Sequence, residues 1–416
     1  MNQQFNAADI INSYVYLLAR YLVLRQEHAD FEEEAIGYNT IKFNPVGGAD
    51  FVNPNLDVAY LEAWVAVDET TPAILTIPKI EGRYYTAQIL DEWGEVITNI
   101  NERTYPQHPH GDFALCAPDA IASAPDGTVP VELNSKKAKL LARVELKDDW
   151  DGAVDLQKQF KLQGTGPLTV EPPVEIEMFD NTTLAGANIF SSVDKILASA
   201  PDKNPGASEL SAQAREIAAY MAQVPQARRE IEEIIEKQAV PKFLKFAVTE
   251  AGSFKNNWLA TLKAGNYGDD YWTRAAANLV GIWANNSREV IYFVGTRDSD
   301  GNSLDGNQTY RMHFAADQRP DAVVDGYWSI ILVSLPDYRV VPNPDDRFNL
   351  NSYSSLVEND DGSLDLFFST DHTAAEHVPN WLPTPDNSCF SLTLRTYVPK
   401  EAVKQGDWFP PPLERM

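Results

Sequence analysis

Short apolar runs, cut apart by clusters of Pro, Gly, Asp and Asn, are the feature that most limits what this chain can become. They occupy residues 61–67, 73–77, 84–90, 96–100, 113–117 and 140–146, and they return at 289–296, 310–314, 327–333, 364–368 and 390–397. Runs this short are strands, and turn residues at this spacing predict antiparallel sandwiches or barrels. Between the two blocks the pattern changes. Residues 207–222, 225–246 and 271–283 read as helices, and 7–25 carries apolar residues at three- and four-residue steps. The expected fold is therefore mainly β: two β-sandwich-like domains with a helical middle segment and an N-terminal helix. The boundaries fall at 1–147, 148–288 and 289–416, with the middle segment as a hinge. Phe31-Glu32-Glu33-Glu34 reads as a solvated exit from the first helix.

Charge narrows the partners. Sixty acidic residues against 34 basic ones give a net charge of −26, which repels nucleic acid and anionic lipid because both need clustered Lys and Arg. A chain of 416 residues exceeds one ordinary core. Cys116 and Cys389 alone make neither a disulfide framework nor a structural zinc site, and both read as small core residues. No secretory signal is visible at the start and no run reaches the roughly 20 apolar residues of a membrane helix. A cytoplasmic location is the expectation.

Candidate chemistry gathers at strand ends. Asn53-Pro54-Asn55-Leu56-Asp57-Val58-Ala59-Tyr60, then Gly82-Arg83-Tyr84-Tyr85 and Asp91, put amides, carboxylates, phenols and a guanidinium where successive strands can converge. Asp57 reads as a base oriented by Asn55, Arg83 as a holder of a carboxylate or polarised carbonyl, and Tyr60 or Tyr85 as a proton donor. From the second block, His313 lies on a strand among aromatic residues, and Arg347, Asn380 and Trp381 complete a ligand wall. An Asp beside an Arg is also an ordinary structural ion pair.

Metal chemistry has less support. His108-Pro109-His110-Gly111-Asp112 and the His372/His377 pair lack a third ligand at metal spacing, so no metal is expected. Residues 297–306 superficially resemble a calcium loop, but the closing glutamate is missing and a hairpin turn is the better reading. No Gly-x-Ser-x-Gly elbow, dinucleotide fingerprint or phosphate-binding Gly-Lys-Ser/Thr occurs, and no cofactor is expected.

Asn53-Pro54-Asn55-Leu56-Asp57 with Gly82-Arg83-Tyr84-Tyr85 resembles the first half of the two-domain proteins carrying domain of unknown function 1254. Tyr327-Trp328-Ser329, Asn343-Pro344 through Arg347-Phe348, Asp361-Gly362-Ser363-Leu364, Asn380-Trp381-Leu382-Pro383 and residues 394–400 resemble its partner, domain of unknown function 1214. The resemblance runs in order over nearly the whole chain. The family commonly has Asn-Asp-Thr where this chain has Leu56-Asp57-Val58, and Phe where it has Tyr327. The resemblance implies paired sandwiches with a helical insert and a homo-oligomer, and it brings no catalytic assignment.

Two functions follow as expectations. One is a hydrolase or lyase acting on a small organic molecule in a pocket between the sandwiches. The other is a non-catalytic binding protein for a sugar or other neutral polar ligand, using Trp64, Trp93, Trp328 and Trp381 as flat platforms.

Overall fold

The structure is a computed structural model that describes residues 5–34, 36–47, 55–335, 339–343, 346–370 and 379–416. Its first β block folds into two facing sheets. One has the order β1 (Lys42–Phe43), β2 (Val58–Ala66), β8 (Lys137–Glu145), β4 (Tyr85–Leu90), β5 (Val96–Ile100). The other runs β7 (Val129–Glu132), β6 (Gly111–Cys116), β3 (Ala73–Ile77), β9 (Lys161–Gly164). Strand alternation decides what each face carries. On β2 and β8, Ala59, Leu61, Leu140 and Ala142 point into the shared core. The opposite face of the same strands therefore carries Tyr60, Arg143 and Glu145.

The second block builds another sandwich. Its larger sheet runs β10 (Ser253–Lys255), β11 (Trp258–Ala260), β12 (Val290–Gly295), β18 (Phe390–Tyr397), β14 (Trp328–Ser334), β15 (Asn349–Asn351). Its smaller sheet runs β17 (Trp381–Pro383), β16 (Leu364–Ser369), β13 (Tyr310–Phe314), β19 (Leu413–Arg415). A separate core fills it, built on Phe293, Met312, Trp328 and Leu392.

The two sandwiches are wired identically. From β2 to β9 and from β12 to β19, every strand has its counterpart ten strand numbers later, in the same sheet position: β2-β8-β4-β5 matches β12-β18-β14-β15, and β7-β6-β3-β9 matches β17-β16-β13-β19. The parallel pair recurs too, β6 with β7 and β16 with β17. Register agrees residue by residue. Arg143 on the central strand lies opposite Tyr60 on one side and Thr86 on the other, as Arg395 lies opposite Tyr292 and Ser329.

Six helices form a third layer with its own core: α1 (Ala7–Glu34), α3 (Val193–Ser199), α4 (Ala207–Gln223), α5 (Ala227–Ile234), α6 (Val240–Thr249) and α7 (Tyr271–Val280). A further helix, α2 (Trp150–Gln157), lies against the first sandwich. The expected single helix over 225–246 is interrupted by a π turn at Ile235–Ala239. The first helix continues through the acidic stretch expected to end it, because Phe31 packs against Tyr38 and Trp64. Among the described residues α1 has the length and hydropathy of a membrane span, contrary to the sequence expectation, and 78% of its most apolar window is buried within the fold. Nor is the middle segment a simple hinge. Its β9 completes the first sandwich, its β10 and β11 extend the second, and the two sandwiches touch each other directly.

Candidate functional site

The contact between sandwiches is made by the outward faces of the two larger sheets. Val58, Tyr84, Val290, Tyr327 and Tyr397 are buried there, with Tyr60, Tyr292 and Tyr353 packed beside them. Tyr327 and Tyr397 stack at 4.1 Å between ring centroids, and Tyr84 meets both edge-on. Arg143 lies 5.3 Å from the Tyr60 ring. Burial pushes the hydroxyls of Tyr84, Tyr327 and Tyr397 well above the ordinary phenol range, so all three are held protonated.

Two buried carboxylates at strand starts bond across this seam. Glu289, just before β12, accepts from Tyr84 Oη at 2.9 Å, Asn101 Nδ2 at 2.9 Å and Arg103 Nη2 at 2.6 Å, all from the first sandwich. It is saturated. Asp57, just before β2, accepts at Oδ1 from Asn349 Nδ2 and Asn351 Nδ2 of the second sandwich, both at 2.7 Å. Its backbone N–H donates to Asn55 Oδ1, while Asn55 Nδ2 donates to Tyr397 Oη.

Asp57 Oδ2 differs. Among the described residues it has no hydrogen-bond partner, and neither does the buried Tyr327 Oη. Orphaned buried polar atoms are rare in folded proteins and ask for an explanation. Burial raises the Asp57 carboxyl above its usual range. The nearby Ser329 hydroxyl, the Asn351 and Asn349 amides and the Arg395 charge pull it back only in part.

A cleft of about 420 Å³ opens at the edge of the seam, lined by Arg83, Tyr84, Arg103, Glu145 and Lys147 from one side and Asp325, Gly326 and Val398 from the other. Glu145 accepts from the Tyr353 hydroxyl and, at 2.6 Å, from the Tyr84 N–H, so Tyr84 links cleft and seam. Val398 has φ +50°, a left-handed conformation that a β-branched residue avoids. Such strain costs about 1–3 kcal/mol and persists where surrounding bonds enforce it. Here the Val398 N–H donates to the Glu289 carbonyl at 2.8 Å and its carbonyl accepts from Asp325 N–H at 2.9 Å.

Of the residues singled out from sequence, Asn55, Asp57 and Tyr60 lie in the seam and Arg83 lines the cleft. The Arg83 guanidinium is engaged by Asp149 at 2.6 Å and by the Glu145 and Asp149 carbonyls. Tyr85 points the other way, into the first core, with its hydroxyl on the Pro109 carbonyl.

The expectation that His313 shares the wall is corrected: it faces out from the smaller sheet of the second sandwich, the side away from the seam, and pairs with Asp365 at 2.8 Å. Trp328 and Trp381 are fully buried and donate to Asp321 and Ser369. Trp64 and Trp93 are buried as well, so none of the four offers a flat face to a ligand. Asn380 is saturated by the Val357 backbone and the Asp365 carbonyl, and Arg347 donates to the Trp381 carbonyl. Asn53, Pro54, Pro344, His372 and His377 lie outside the described residues. No metal-competent cluster occurs among the described residues.

Sequence reasoning missed Glu289, Asn101, Asn349, Asn351, Arg143 and Arg395. A signal was present: Asp57-Val58-Ala59-Tyr60 is echoed by Glu289-Val290-Ile291-Tyr292, and Asn99-Ile100-Asn101 by Asn349-Leu350-Asn351. Two of the three departures from the family pattern, Val58 and Tyr327, fall in this one cluster, and the third, Leu56, packs beside Ile331 and Val333.

Comparison with known proteins matches two stretches of the chain to family models. A protein of unknown function model, DUF1254, matches residues 37–164, and a second, DUF1214, matches residues 289–401. The crystal structure of the VPA0106 protein from Vibrio parahaemolyticus is similar with a TM-score of 0.70 at 19% identity, covering 99% of this chain and 100% of that one. That likeness shows the fold. An uncharacterised protein from Burkholderia cenocepacia aligns at a TM-score of 0.45 and 12% identity, over 95% of this chain and 87% of that one. No curated protein matches the chain.

Proposed function

We propose that this chain, which belongs to the two-domain family in which DUF1254 precedes DUF1214, is an enzyme that moves a proton on a small polar organic molecule at the seam, as a hydrolase or lyase does. One observation carries the reading. The Asp57 carboxyl is buried between the sandwiches, with Oδ1 accepting from two amides and Oδ2 without a hydrogen-bond partner among the described residues. A general base works best when its pKa approaches the working pH, and burial moves Asp57 in that direction. Asn349 and Asn351 fix the carboxyl and leave Oδ2 to take the proton. The protonated tyrosines can donate to an oxyanion forming on the substrate. Arg83, Arg103 and Lys147 stand at the cleft beside Glu102, Glu145 and Asp325, a mixed lining that suits a polar molecule without net charge.

The test is a panel of small esters, lactones, amides and hydroxy acids incubated with the protein and followed by mass spectrometry. Turnover should fall at least about 100-fold in Asp57→Asn, as for a lost general base, with the melting temperature little changed. Ligand-induced stabilisation without product would instead make the protein a binding module. Collapse of folding in Asp57→Asn would make the aspartate structural.

A further inference from the structure

The identical wiring of the sandwiches makes positions on opposite sides of the seam correspond. Register pairs Tyr60 with Tyr292, Thr86 with Ser329 and Arg143 with Arg395. One residue before β2 and β12 stand Asp57 and Glu289, and one residue before β4 and β14 stand Tyr84 and Tyr327. The edge strands agree, since Asn101 and Asn351 each reach across to the other sandwich's acid. The Asn101 and Asn351 side chains also accept, respectively, the backbone N–H of Arg103 and Tyr353, the residues two places on. The seam is thus a pseudo-twofold contact between two copies of one unit, and each acid has a tyrosine assigned to it from the opposite copy.

The two acid–tyrosine stations are unequal. In one, Tyr84 Oη donates directly to Glu289 at 2.9 Å. In the other, Asp57 Oδ2 and Tyr327 Oη are the counterparts, and neither has a hydrogen-bond partner among the described residues. Aspartate is one methylene shorter than glutamate, which withdraws the carboxylate by about 1.5 Å, one C–C bond. A direct bond lengthened by that amount becomes a separation that a single bridging oxygen spans with two ordinary hydrogen bonds. Arg103, which locks the Glu289 station, is replaced at the corresponding place by Tyr353, which turns to Glu145.

We propose that the Asp57–Tyr327 station holds one water oxygen and that this water is consumed in the reaction, which makes the enzyme a hydrolase. The inference rests on the reading of Asp57 as the base. Asp57 Oδ2 takes a proton from the water while its oxygen bonds to the electrophilic carbon. The bond from that carbon to the leaving group breaks, and the proton passes on to the leaving group. Water is thereby divided between the two products and Asp57 returns to its starting state. Tyr327 donates to the water oxygen and positions it. The Glu289 station, closed by Tyr84 and Arg103, keeps the two copies docked.

Crystals of the full chain and of Asp57→Glu, melting curves of both, and turnover of the ester and lactone panel in oxygen-18 water test this together. The wild type should show an ordered oxygen within hydrogen-bond distance of both Asp57 Oδ2 and Tyr327 Oη. Asp57→Glu should bond Tyr327 directly, exclude that oxygen, melt about 1–3 °C higher and lose turnover at least about 100-fold. Label should appear in the product acid. A direct Asp57–Tyr327 contact in the wild type, or Asp57→Glu that melts lower and keeps the oxygen, overturns the station. Turnover without label overturns the consumed water. Absence of turnover on the whole panel removes the reading of Asp57 as a base, and the consumed water with it, while the crystals still decide the station.

Discussion

Glu289 and Asp57 occupy corresponding places in two identically wired sandwiches, yet one is bonded on every side and the other keeps an oxygen bare. The fold is the same on both sides, so the difference lies in a few side chains: glutamate against aspartate, and Arg103 against Tyr353. The repeated wiring gives two places for a buried acid. Glu289 clasps the two sandwiches together, and Asp57 is the group we propose as the base.

The comparison breaks most easily at the clasp. Glu289→Ala removes the carboxylate that the Arg103 guanidinium, the Tyr84 hydroxyl and the Asn101 amide share, and losing one partner of a buried ion pair costs about 3–5 kcal/mol. Denaturant titration should find that loss, whereas Asp57→Asn should stay within about 1 kcal/mol because only one side of the amide cluster changes. A larger loss at Asp57 than at Glu289 would reverse the assignment of roles.

Stability against pH gives a second, smaller effect and contrasts the seam with the helical layer. Glu95, on the turn between β4 and β5, accepts from the Tyr267 N–H at 3.0 Å and Asn204 at 2.8 Å. Burial pushes its carboxyl up to about 7, against the pull of Arg274. The folded state thus holds a proton that the unfolded chain releases near its ordinary value of 4.5. A raised carboxyl favours folding most at low pH, and this contribution declines as pH rises from about 4.5 to 7. Asp57, Asp91 and Glu92 are raised by burial in the same direction. The melting temperature should accordingly fall between pH 5 and pH 8. Glu95→Gln should remove on the order of 2–3 kcal/mol of that slope. An unchanged slope would mean that Glu95 titrates normally.

The smallest stability effects belong to residues that the sequence drew toward the site and that make no bond across the seam. Arg83→Ala should cost about 1 kcal/mol or less, since its partner Asp149 is 60% exposed. His313→Ala should change stability by about 0.5 kcal/mol at most and leave turnover on the panel untouched. A His313 variant that loses turnover would move the site to the other face of the second sandwich.

The strands were legible because alternation and turn residues act locally: 73–77 and 96–100 became β3 and β5 at the same limits. Asp57 stood out only as part of a polar cluster at a strand start, where Asp and Asn are also ordinary turn residues. Its partners were not legible, because Asn349 and Asn351 approach from 292 and 294 residues away. The duplication was readable only in two short echoes, Asp-Val-x-Tyr against Glu-Val-x-Tyr and Asn-x-Asn against Asn-x-Asn, spaced differently by intervening loops. Tryptophan misled for a physical reason. A large apolar ring is worth more in a core than on a rim, and the indole N–H of Trp328 reaches outward to the exposed Asp321 while that of Trp381 finds the buried Ser369.

The most direct measurement needs no substrate: the unfolding free energies of Tyr84→Phe and Tyr327→Phe, compared side by side. Tyr84→Phe removes a bond to a buried carboxylate and should cost about 1.5–3 kcal/mol, while Tyr327→Phe removes a hydroxyl that has no protein partner among the described residues and at most a bond to water, and should cost about 1 kcal/mol or less. Equal losses, or a larger loss at Tyr327, would contradict the inequality of the two stations on which the account stands.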